Sequence, residues 1–436
     1  MLKGHLEIVL KNEKTGEVEK YSEDNLVTNA FKYILGYSTQ MVSENGSNIT
    51  AYGPYNVLPI GKKALGGLFL FDGPLTENVE NIHFPMNVHL TGFAGQTVNT
   101  TGLHAGSINK AESGPTDTGY VNVWDFSTSQ ANGTIASLAL TNANAGNNPF
   151  RYEFVTGTSA SYNGSGTVIA LDDETGDVYL YYRGKISKKR MITYVIKTNT
   201  PRYGQQEEVF DFAYPNNAYG DWTVCNGYDG YLYAIKIPYV SKKGTVTITI
   251  RKIKISDWSF DEEPEQTITI SNITSINTYE FSSNLAASAC ISKGYLYFIS
   301  YDRKTIYKVD MSNVVDVQSL TLDEKYIHYV FPKYNGGIFA YLSYDGTTST
   351  GSTTRYYCCG IVYEDGDYCF DEEYKNTTSY YTSSYTCYES DRLYRAVGTI
   401  YNAYTQAYLG TICNLSSPVV KTSAQSMKVT YTLTDV

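Results

Sequence analysis

The chain has 436 residues, a formal net charge of -10, and only 18% charged residues against 42% hydrophobic ones. This length exceeds what one ordinary core organises, so we expect two structural units, or one large closed β architecture with an appendage. The acidic balance and the lack of a long basic run exclude the phosphate-neutralising surface of a nucleic-acid binder and disfavour anionic lipid. No segment reads as a signal peptide or as the roughly 18 apolar residues of a membrane-spanning helix, so we expect neither export nor membrane insertion.

The first predicted element is a β-hairpin. Leu6, Ile8 and Leu10 alternate with polar neighbours, which is the period of a strand with one buried face. A turn at 14–16 and a returning strand at 17–21 complete it.

A short helix is predicted next, capped by Asn25 or Thr28 and stopped by Gly36. Its apolar residues recur at the spacing of one helical face: Val27, Phe31, Ile34 and Leu35. From 37 to about 148 the sequence predicts short strands joined by long irregular loops. Residues 140–149 are small and polar without periodicity, which predicts a surface linker and a domain boundary near 148.

A loose repeat follows, in which a Gly or Asp turn precedes a short aromatic strand. Its copies are 176–181, 229–233, 293–297, 336–341 and 391–394, the first three reading Tyr-Leu-Tyr. Their spacing brackets the roughly 40–50 residues of a propeller blade, so five or six blades fit between about 150 and 415. The alternative is an irregular sandwich or barrel, because aromatic residues favour strands in any β fold.

The last segment is the cleanest predicted strand, with Met427, Val429, Tyr431 and Leu433 alternating with polar residues. A terminal strand needs a partner for its backbone, and the N-terminal hairpin has a similar pattern. We therefore expect an all-β protein with an N-terminal β-rich attachment domain at 1–148, a propeller-like domain at 149–415, and a strand within 416–436 that returns to the first domain. The alternative is that the strand at 427–434 closes the propeller instead of pairing with the N-terminal hairpin.

Segments at both ends resemble tail and baseplate-associated proteins of phages that infect Gram-positive bacteria. They are the opening 6–19 with the following Asn-Leu-Val-Thr-Asn-Ala at 25–30, the Trp-Asp-Phe-Ser-Thr-Ser-Gln-Ala-Asn-Gly-Thr-Ile of 124–135, and the Val-Lys-Thr-Ser-Ala-Gln-Ser-Met-Lys-Val-Thr-Tyr of 420–431. The resemblance implies a virion protein of the tail or baseplate, assembled in the host cytoplasm, with its termini near the particle. It departs from fibrous tail proteins, because the chain has neither a collagen-like repeat nor a heptad coiled coil.

Catalytic and metal-binding motifs are lacking in the sequence. The five histidines stand outside HExxH and CxxC-type spacings, and the seven cysteines predict reduced structural thiols. The acidic stretches 172–177 and 364–367 could hold calcium, but they do not match the EF-hand and are better explained as hairpin turns. We therefore predict no enzyme activity, no cofactor and no metal.

The surface chemistry that remains suits binding, since Tyr rings offer apolar faces and Thr, Ser and Asn offer adjustable hydrogen bonds. Two loops are the candidates, although both could be ordinary wet loops. Their candidate binding residues are Tyr228, Asp229, Tyr374, Asn376, Tyr380 and Tyr381.

We therefore expect attachment to a polysaccharide or protein of the host surface, by a protein that also contacts other tail or baseplate proteins. A repeated copy in the particle predicts a homo-oligomer. The alternatives are a purely structural tail component, and a polysaccharide depolymerase whose carboxylates lie at the axial end of the blades.

Overall fold

The structure is a computed structural model. It describes residues 2–29, 65–100, 102–147, 149, 153–157, 167–172, 177–182, 185–190, 194–195, 200–201, 207–211, 222–255, 259–260, 266–276, 288–333, 335–347, 351–370, 394–397, 399–405 and 407–435. Within these ranges no helix is long and apolar enough to cross a membrane.

The structure is almost entirely strands. The first part of the chain holds β1 (Leu2–Asn12), β2 (Val18–Val27), β3 (Gly67–Phe71), β4 (Leu90–Ala94), β5 (Ser107–Ile108), β6 (Gly114–Thr116), β7 (Gly119–Phe126), β8 (Gly133–Thr141) and a short helix, α1 (Ala143–Asn147). The middle begins with β9 (Glu153–Gly157), β10 (Thr167–Asp172), β11 (Asp177–Tyr182), β12 (Lys185–Arg190), β13 (Tyr194–Val195), β14 (Thr200–Pro201), β15 (Glu207–Asp211), β16 (Trp222–Asn226), β17 (Tyr231–Lys236), β18 (Val240–Lys254), β19 (Ser259–Phe260) and β20 (Gln266–Ser275). It continues with β21 (Ala289–Ser292), β22 (Tyr295–Ile299), β23 (Thr305–Asp310), β24 (Asn313–Thr321), β25 (Lys325–Pro332), β26 (Ile338–Thr347), β27 (Thr353–Val362), β28 (Tyr368–Phe370), β29 (Tyr394–Val397) and β30 (Thr399–Thr405), and the chain ends with β31 (Thr411–Lys421) and β32 (Gln425–Asp435).

The chain divides into two compact units. The terminal unit comprises Met1–Thr156 and Tyr404–Val436, and the central unit comprises Gly157–Ala403. The central unit is thus one continuous insertion between two parts of the terminal unit.

The terminal unit is built on a ten-stranded sheet. Its order is β4-β3-β8-β31-β2-β1-β32-β7-β5, and β6 pairs with another part of β7. The two ends of this sheet are linked, because the Phe93 amide donates to the His104 carbonyl at 2.9 Å and the Gly106 amide donates to the Phe93 carbonyl at 2.8 Å. The sheet is therefore nearly closed and barrel-like.

Both ends of the chain lie side by side in this sheet. The hairpin β1–β2 is present, and β32 pairs antiparallel with β1 from Leu2 opposite Asp435 to Asn12 opposite Gln425. The alternating apolar residues of β1 and β32, such as Ile8 and Val429, are fully buried. This pairing is the one that the strand patterns of the two termini predict.

Of the two predicted helix caps, Asn25 is wrong, because it lies inside β2. Thr28 follows directly on that strand. Its hydroxyl donates to the Leu409 carbonyl at 2.6 Å, so its side chain ties the end of β2 to the approach to β31. Residues 30–36, on which the rest of the predicted helix falls, lie outside the described residues.

The predicted surface linker at 140–149 is also corrected. Leu140 and Thr141 are buried at the end of β8, and α1 follows at once. Asn142 caps this short helix by accepting a hydrogen bond from the Ala145 amide at 2.6 Å. The small polar residues therefore form a capped helical turn against the sheet, a choice that composition alone does not reveal.

A buried lysine joins the connection between β31 and β32 to the connection between β7 and β8. Lys421 is 1% exposed, and its ammonium donates to the Ser127 carbonyl at 2.9 Å and to Asn132 Oδ1 at 2.8 Å. Around it β31 pairs with β8 and β32 pairs with β7. Segments 124–135 and 420–431 thus form one packed unit.

Between 153 and 405 the described chain forms successive antiparallel sheets. They are β10-β11-β12-β15, then β16-β17-β18 with β19 and β20 on β18, then β21-β22-β23-β24, then β25-β26-β27-β28, and finally β29-β30-β9. The first strands of successive sheets are neighbours, with β10 against β16, β16 against β21, β21 against β25, and β29 against β10. The chain is therefore all-β with a β-propeller, which confirms the predicted fold class, and the described residues contain five blades.

The ring of blades is closed by a strand from the beginning of this region, since β9 pairs with β30 in the fifth sheet. Its apolar core runs between the second, third and fourth blades and includes Ile235, Leu296 and Leu342, all fully buried. The Tyr-Leu-Tyr repeat thus marks the second strands of blades, and its central leucines Leu232 and Leu296 are fully buried.

Candidate ligand-binding site

The blades have two ends with different loops. In an antiparallel sheet the chain reverses at every turn, so the turn between the second and third strands lies at the same end as the connection to the next blade. The turns at 237–239 and 300–304 and the connection at 322–324 therefore share one end, which we call the Tyr301 end. The turns at 227–230, 293–294 and 333–337 share the opposite one, the Tyr228 end.

The predicted site residues Tyr228 and Asp229 lie in the turn between β16 and β17. Asp229 accepts hydrogen bonds from the Tyr233 hydroxyl at 2.6 Å and from the Tyr231 amide at 3.2 Å. Tyr228 has a φ of 55°, and its amide donates to Asn226 Oδ1 at 2.9 Å. Both carboxylate oxygens of Asp229 thus shape the turn and brace the neighbouring strand, so a ligand role for this pair stays a prediction.

The other predicted residues, Tyr374, Asn376, Tyr380 and Tyr381, lie outside the described residues. Of the six predicted binding residues, the structure therefore describes only Tyr228 and Asp229. The acidic stretch 364–367 forms the turn before β28, in which Asp365 Oδ1 accepts the Asp367 amide at 2.9 Å. The described residues contain no group of His, Cys, Asp and Glu side chains arranged to hold a metal ion.

The Tyr301 end carries an exposed pair of aromatic rings that the sequence analysis did not select. Tyr239 is 47% exposed and Tyr301 is 36% exposed. Their ring centroids are 5.2 Å apart at an interplanar angle of 83°, an edge-to-face pair. Because Tyr239 belongs to the second blade and Tyr301 to the third, the pair exists only when these two blades are packed together.

The turn that carries Tyr301 is held rigidly. The Ser300 amide donates to the Thr305 carbonyl at 2.8 Å, and Asp302 Oδ1 accepts the Ser300 hydroxyl at 2.5 Å and the Lys304 amide at 3.1 Å. Arg303 adopts a φ of 61°, which is unfavourable for a residue with a Cβ and is accepted here in a fully bonded turn.

Cations surround a third tyrosine at this end. The Lys304 ammonium lies 3.9 Å from the centroid of the Tyr326 ring, and the Arg355 guanidinium carbon lies 5.2 Å from it. Both distances are within the range of cation–π attraction. Arg355 also pairs with Asp345 at 3.0 Å, and its hydrogen bond is the main reason that the pKa of that carboxyl is lowered.

His328 is buried near two arginines of this end. Burial lowers its pKa from 6.5 to about 4, and the nearby Arg303 and Arg355 add to the effect. Its Nε2 is 2.7 Å from the Ser343 hydroxyl. At neutral pH the ring is therefore uncharged.

Five described carboxyl groups have a displaced pKa. Where a carboxyl pKa is displaced, hydrogen bonds lower it, as in Glu13, Glu23, Glu112, Asp310 and Asp345. Cys225, Cys290 and Cys413 are free thiols, and burial raises the pKa of Cys225 and of Cys413 to about 12. These thiols are poor nucleophiles.

The sequence did contain a signal for the aromatic pair. Each ring stands in the turn that follows an aromatic repeat strand, at Pro238-Tyr239 and at Ser300-Tyr301-Asp302. The sequence analysis selected loops rich in Asn, Gly and Tyr. Neither of these two turns has that composition, so both were missed.

No family model and no curated protein matches this chain. Among solved structures it is similar to a streptogramin B lyase, with 10% identity and a TM-score of 0.24 over 64% of this chain and 98% of that one. It is also similar to virginiamycin B lyase from Staphylococcus aureus, with 8% identity and a TM-score of 0.24 over 64% and 98% of the two chains, and to the WD40 β-propeller domain of Doa1, with 13% identity and a TM-score of 0.19 over 51% and 98%. At these TM-scores the propeller assignment stands on the strand order of the central unit.

Proposed function

We propose that the protein is a non-enzymatic virion component of a phage tail or baseplate whose propeller attaches the particle to a saccharide of the host surface. The observation that carries the attachment role is the exposed Tyr239–Tyr301 pair on two adjacent blades. Such rings stack on the apolar faces of sugar rings, and their packing fixes them before a ligand arrives. The virion role is supported by the resemblance of the terminal segments to tail and baseplate-associated proteins.

In this proposal the terminal unit contacts other tail or baseplate proteins, and the protein is repeated in the particle after assembly in the host cytoplasm. A purely structural role is the second candidate. It predicts that the aromatic pair is dispensable for binding to host cells.

The test is sedimentation of the full-length protein with purified cell envelopes from a panel of Gram-positive strains. We expect strain-selective binding and no release of reducing sugar. The double variant Tyr239→Ala, Tyr301→Ala is expected to lose at least about tenfold in affinity, because each stacked ring contributes on the order of 1 kcal/mol.

Tyr368→Ala is the matched control, because Tyr368 is 44% exposed on β28 at the Tyr228 end of its blade. Equal binding of wild type and double variant would reject the aromatic pair as the attachment site. Absence of binding to every envelope would favour the structural role, and sugar release would favour the enzyme.

A further inference from the structure

The outer strand of the second blade, β20, has one edge that no described strand covers. It pairs antiparallel with β18, from Gln266 opposite Ile250 to Ser275 opposite Val240, and with no other described strand. Alternate residues of an edge strand direct their N–H and C=O groups away from the ladder. Apart from the ladder with β18, no hydrogen bond between described residues uses the main chain of 266–274. The strand therefore offers a row of backbone donors and acceptors to a further strand.

The two faces of β20 differ. Its isoleucines, Ile268, Ile270 and Ile273, are buried in the apolar core of the blades, whereas Thr267 and Thr269 are exposed. The apolar face is thus already covered, and the backbone edge is what the strand can present to a partner. An extended strand is the kind of partner that fits such an edge, because it adds to the sheet through main-chain hydrogen bonds.

The sequence of β20 lacks the features that commonly keep an edge strand from pairing. Those features are charged side chains, above all lysine, and proline. Residues 266–275 contain neither a charge nor a proline, and Thr or Ser alternates with Ile from 267 to 271. The outer strands of the first and third blades do carry charges, Glu207 and Glu208 in β15 and Asp316 in β24. The edge of β20 is therefore the least protected of these three.

We infer that β20 is a self-association edge, on which β20 of a second copy of this chain pairs antiparallel about a two-fold axis. An axis that passes through one residue places Thr opposite Thr or Ser, and Ile opposite Ile. With the axis at Thr269, for example, Ile268 of one copy lies opposite Ile270 of the other. Matched β-branched pairs stabilise an antiparallel ladder, and one strand that contacts itself in this way forms a closed dimer. The inference goes beyond the proposed attachment function and does not depend on it.

Charges beside the strand favour the antiparallel arrangement. Lys242 and Lys243 are exposed in the part of β18 that pairs with the end of β20 near Ser275. In an antiparallel pair centred on 269, the lysines of the two copies lie at opposite ends of the joint. A parallel pair would bring all four lysines to the same end, where they repel one another.

The experiment is sedimentation velocity of the full-length protein from about 1 to 200 µM, because a joint made mainly of backbone hydrogen bonds predicts association on the order of micromolar. We expect a reversible dimer. The variant Thr267→Lys, Thr269→Lys sets like charges against each other across the two-fold axis, so we expect its dimer to be weaker by at least about tenfold.

The matched control is Thr245→Lys, Thr247→Lys. Thr247 stands opposite Thr269 on β18, and both control residues are exposed. The control adds the same charge to the same face of the ribbon, but one strand further from the joint. We expect its dimer to stay within a few-fold of wild type, since the added charges are further apart and more screened.

Hydrogen exchange of the wild-type protein at the two ends of this concentration range locates the joint without any substitution. We expect slower exchange at high concentration in peptides that cover β20, and no change in peptides that cover β24. Wild type that stays monomeric throughout the range would overturn the inference. So would an oligomer that leaves exchange in β20 unchanged, or one that both lysine pairs weaken equally. Failure to bind cell envelopes would remove the attachment function and leave this inference intact.

Discussion

His328 lies among aromatic rings in the fourth blade. Its ring centroid is 5.6 Å from that of Tyr341 and 5.8 Å from that of Tyr357. Its pKa in the folded protein, about 4, is far below the ordinary 6.5, because burial and two arginines oppose a charge on the ring. As pH falls, the unfolded chain therefore takes up this proton before the folded protein does.

This difference predicts acid sensitivity of the propeller. Between pH 6.5 and about 4 the unfolded state binds more protons at His328, so stability decreases as pH falls through this window and is full above it. At the lower end of this pH window, the loss in the free energy of unfolding that is due to His328 is about 2–3 kcal/mol. Hydrogen exchange of peptides from β25–β27 at pH 4.5 and pH 7 measures it.

His328→Gln keeps a side-chain amide that can bond to the Ser343 hydroxyl and removes the titration. We expect a clearly weaker pH dependence of exchange in these peptides. The matched control is His5→Gln, because the His5 side chain is 52% exposed in the terminal unit. A pH dependence that His328→Gln leaves unchanged would show that other groups cause it.

At this scale the sequence was least informative about the site. Asp229 was predicted for its place in a Tyr-rich turn, and in the structure its carboxylate closes that turn. The Tyr239–Tyr301 pair depends on contact between blades, and Lys304 depends on a carbonyl 19 positions away. Such tertiary neighbours cannot be read from local spacing.

At the scale of elements, β32 is an inner strand of the ten-stranded sheet. It lies between β1 and β7 and pairs with both. Tyr431 is fully buried, and its hydroxyl donates to Thr411 Oγ1 at 2.7 Å. The strand therefore supports the terminal unit through both its backbone and its inward side chains.

A pair of valines tests this difference between strands. Val429 in β32 is 0% exposed, whereas Val315 in β24, at the edge of the third blade, is 88% exposed. Val429→Asp places an unpaired carboxylate in the core, and we expect a loss of at least about 3 kcal/mol in the stability of the terminal unit. Val315→Asp is expected to stay within about 0.5 kcal/mol of wild type.

Thermal unfolding followed by circular dichroism measures both variants. A wild-type melting profile for Val429→Asp would mean that β32 is not integral to the sheet. A strong loss for Val315→Asp would mean that the edge strand is covered in solution.

Strands were the part of the fold that the sequence predicted best. Alternation in 6–10 and in 427–433 predicted β1 and β32, and the Tyr-Leu-Tyr copies predicted strands of blades, which the structure places second in each blade. The errors fell where side chains act through tertiary contacts. Asn25 lies inside β2 instead of capping a helix, and Asn142 caps α1 in a segment that composition assigned to a linker.

At the scale of the molecule, the ten strands of the barrel-like sheet all come from outside 157–403. The points where the chain leaves and re-enters the terminal unit are close, because β9 and β30 are paired strands. The terminal unit should therefore fold without the insertion.

Replacing 157–403 by a flexible Gly-Ser linker of about six residues tests this expectation. Trp222 and Trp258 are removed with the insertion, so Trp124, fully buried in the sheet, is the single remaining tryptophan. We expect strand-rich circular dichroism and the blue-shifted emission of a buried indole. The same variant with Val429→Asp is the unfolded reference, and emission equal to that reference would show that the sheet needs the central unit.

The hydrogen bonds of Lys421 constrain which mutations and recombination events the gene can tolerate. Its ammonium reaches residues 294 and 289 positions earlier, so two distant parts of the chain share one polar contact. Asn132 is itself exposed, whereas Lys421 is 1% exposed, so a mutation at 132 removes one of the two bonds of a buried ammonium. Positions 132 and 421 are therefore expected to covary among descendants. The stretch between them is free of this constraint, so recombination that replaces the middle of the gene preserves the contact, whereas a crossover that brings the two ends from different parents breaks it.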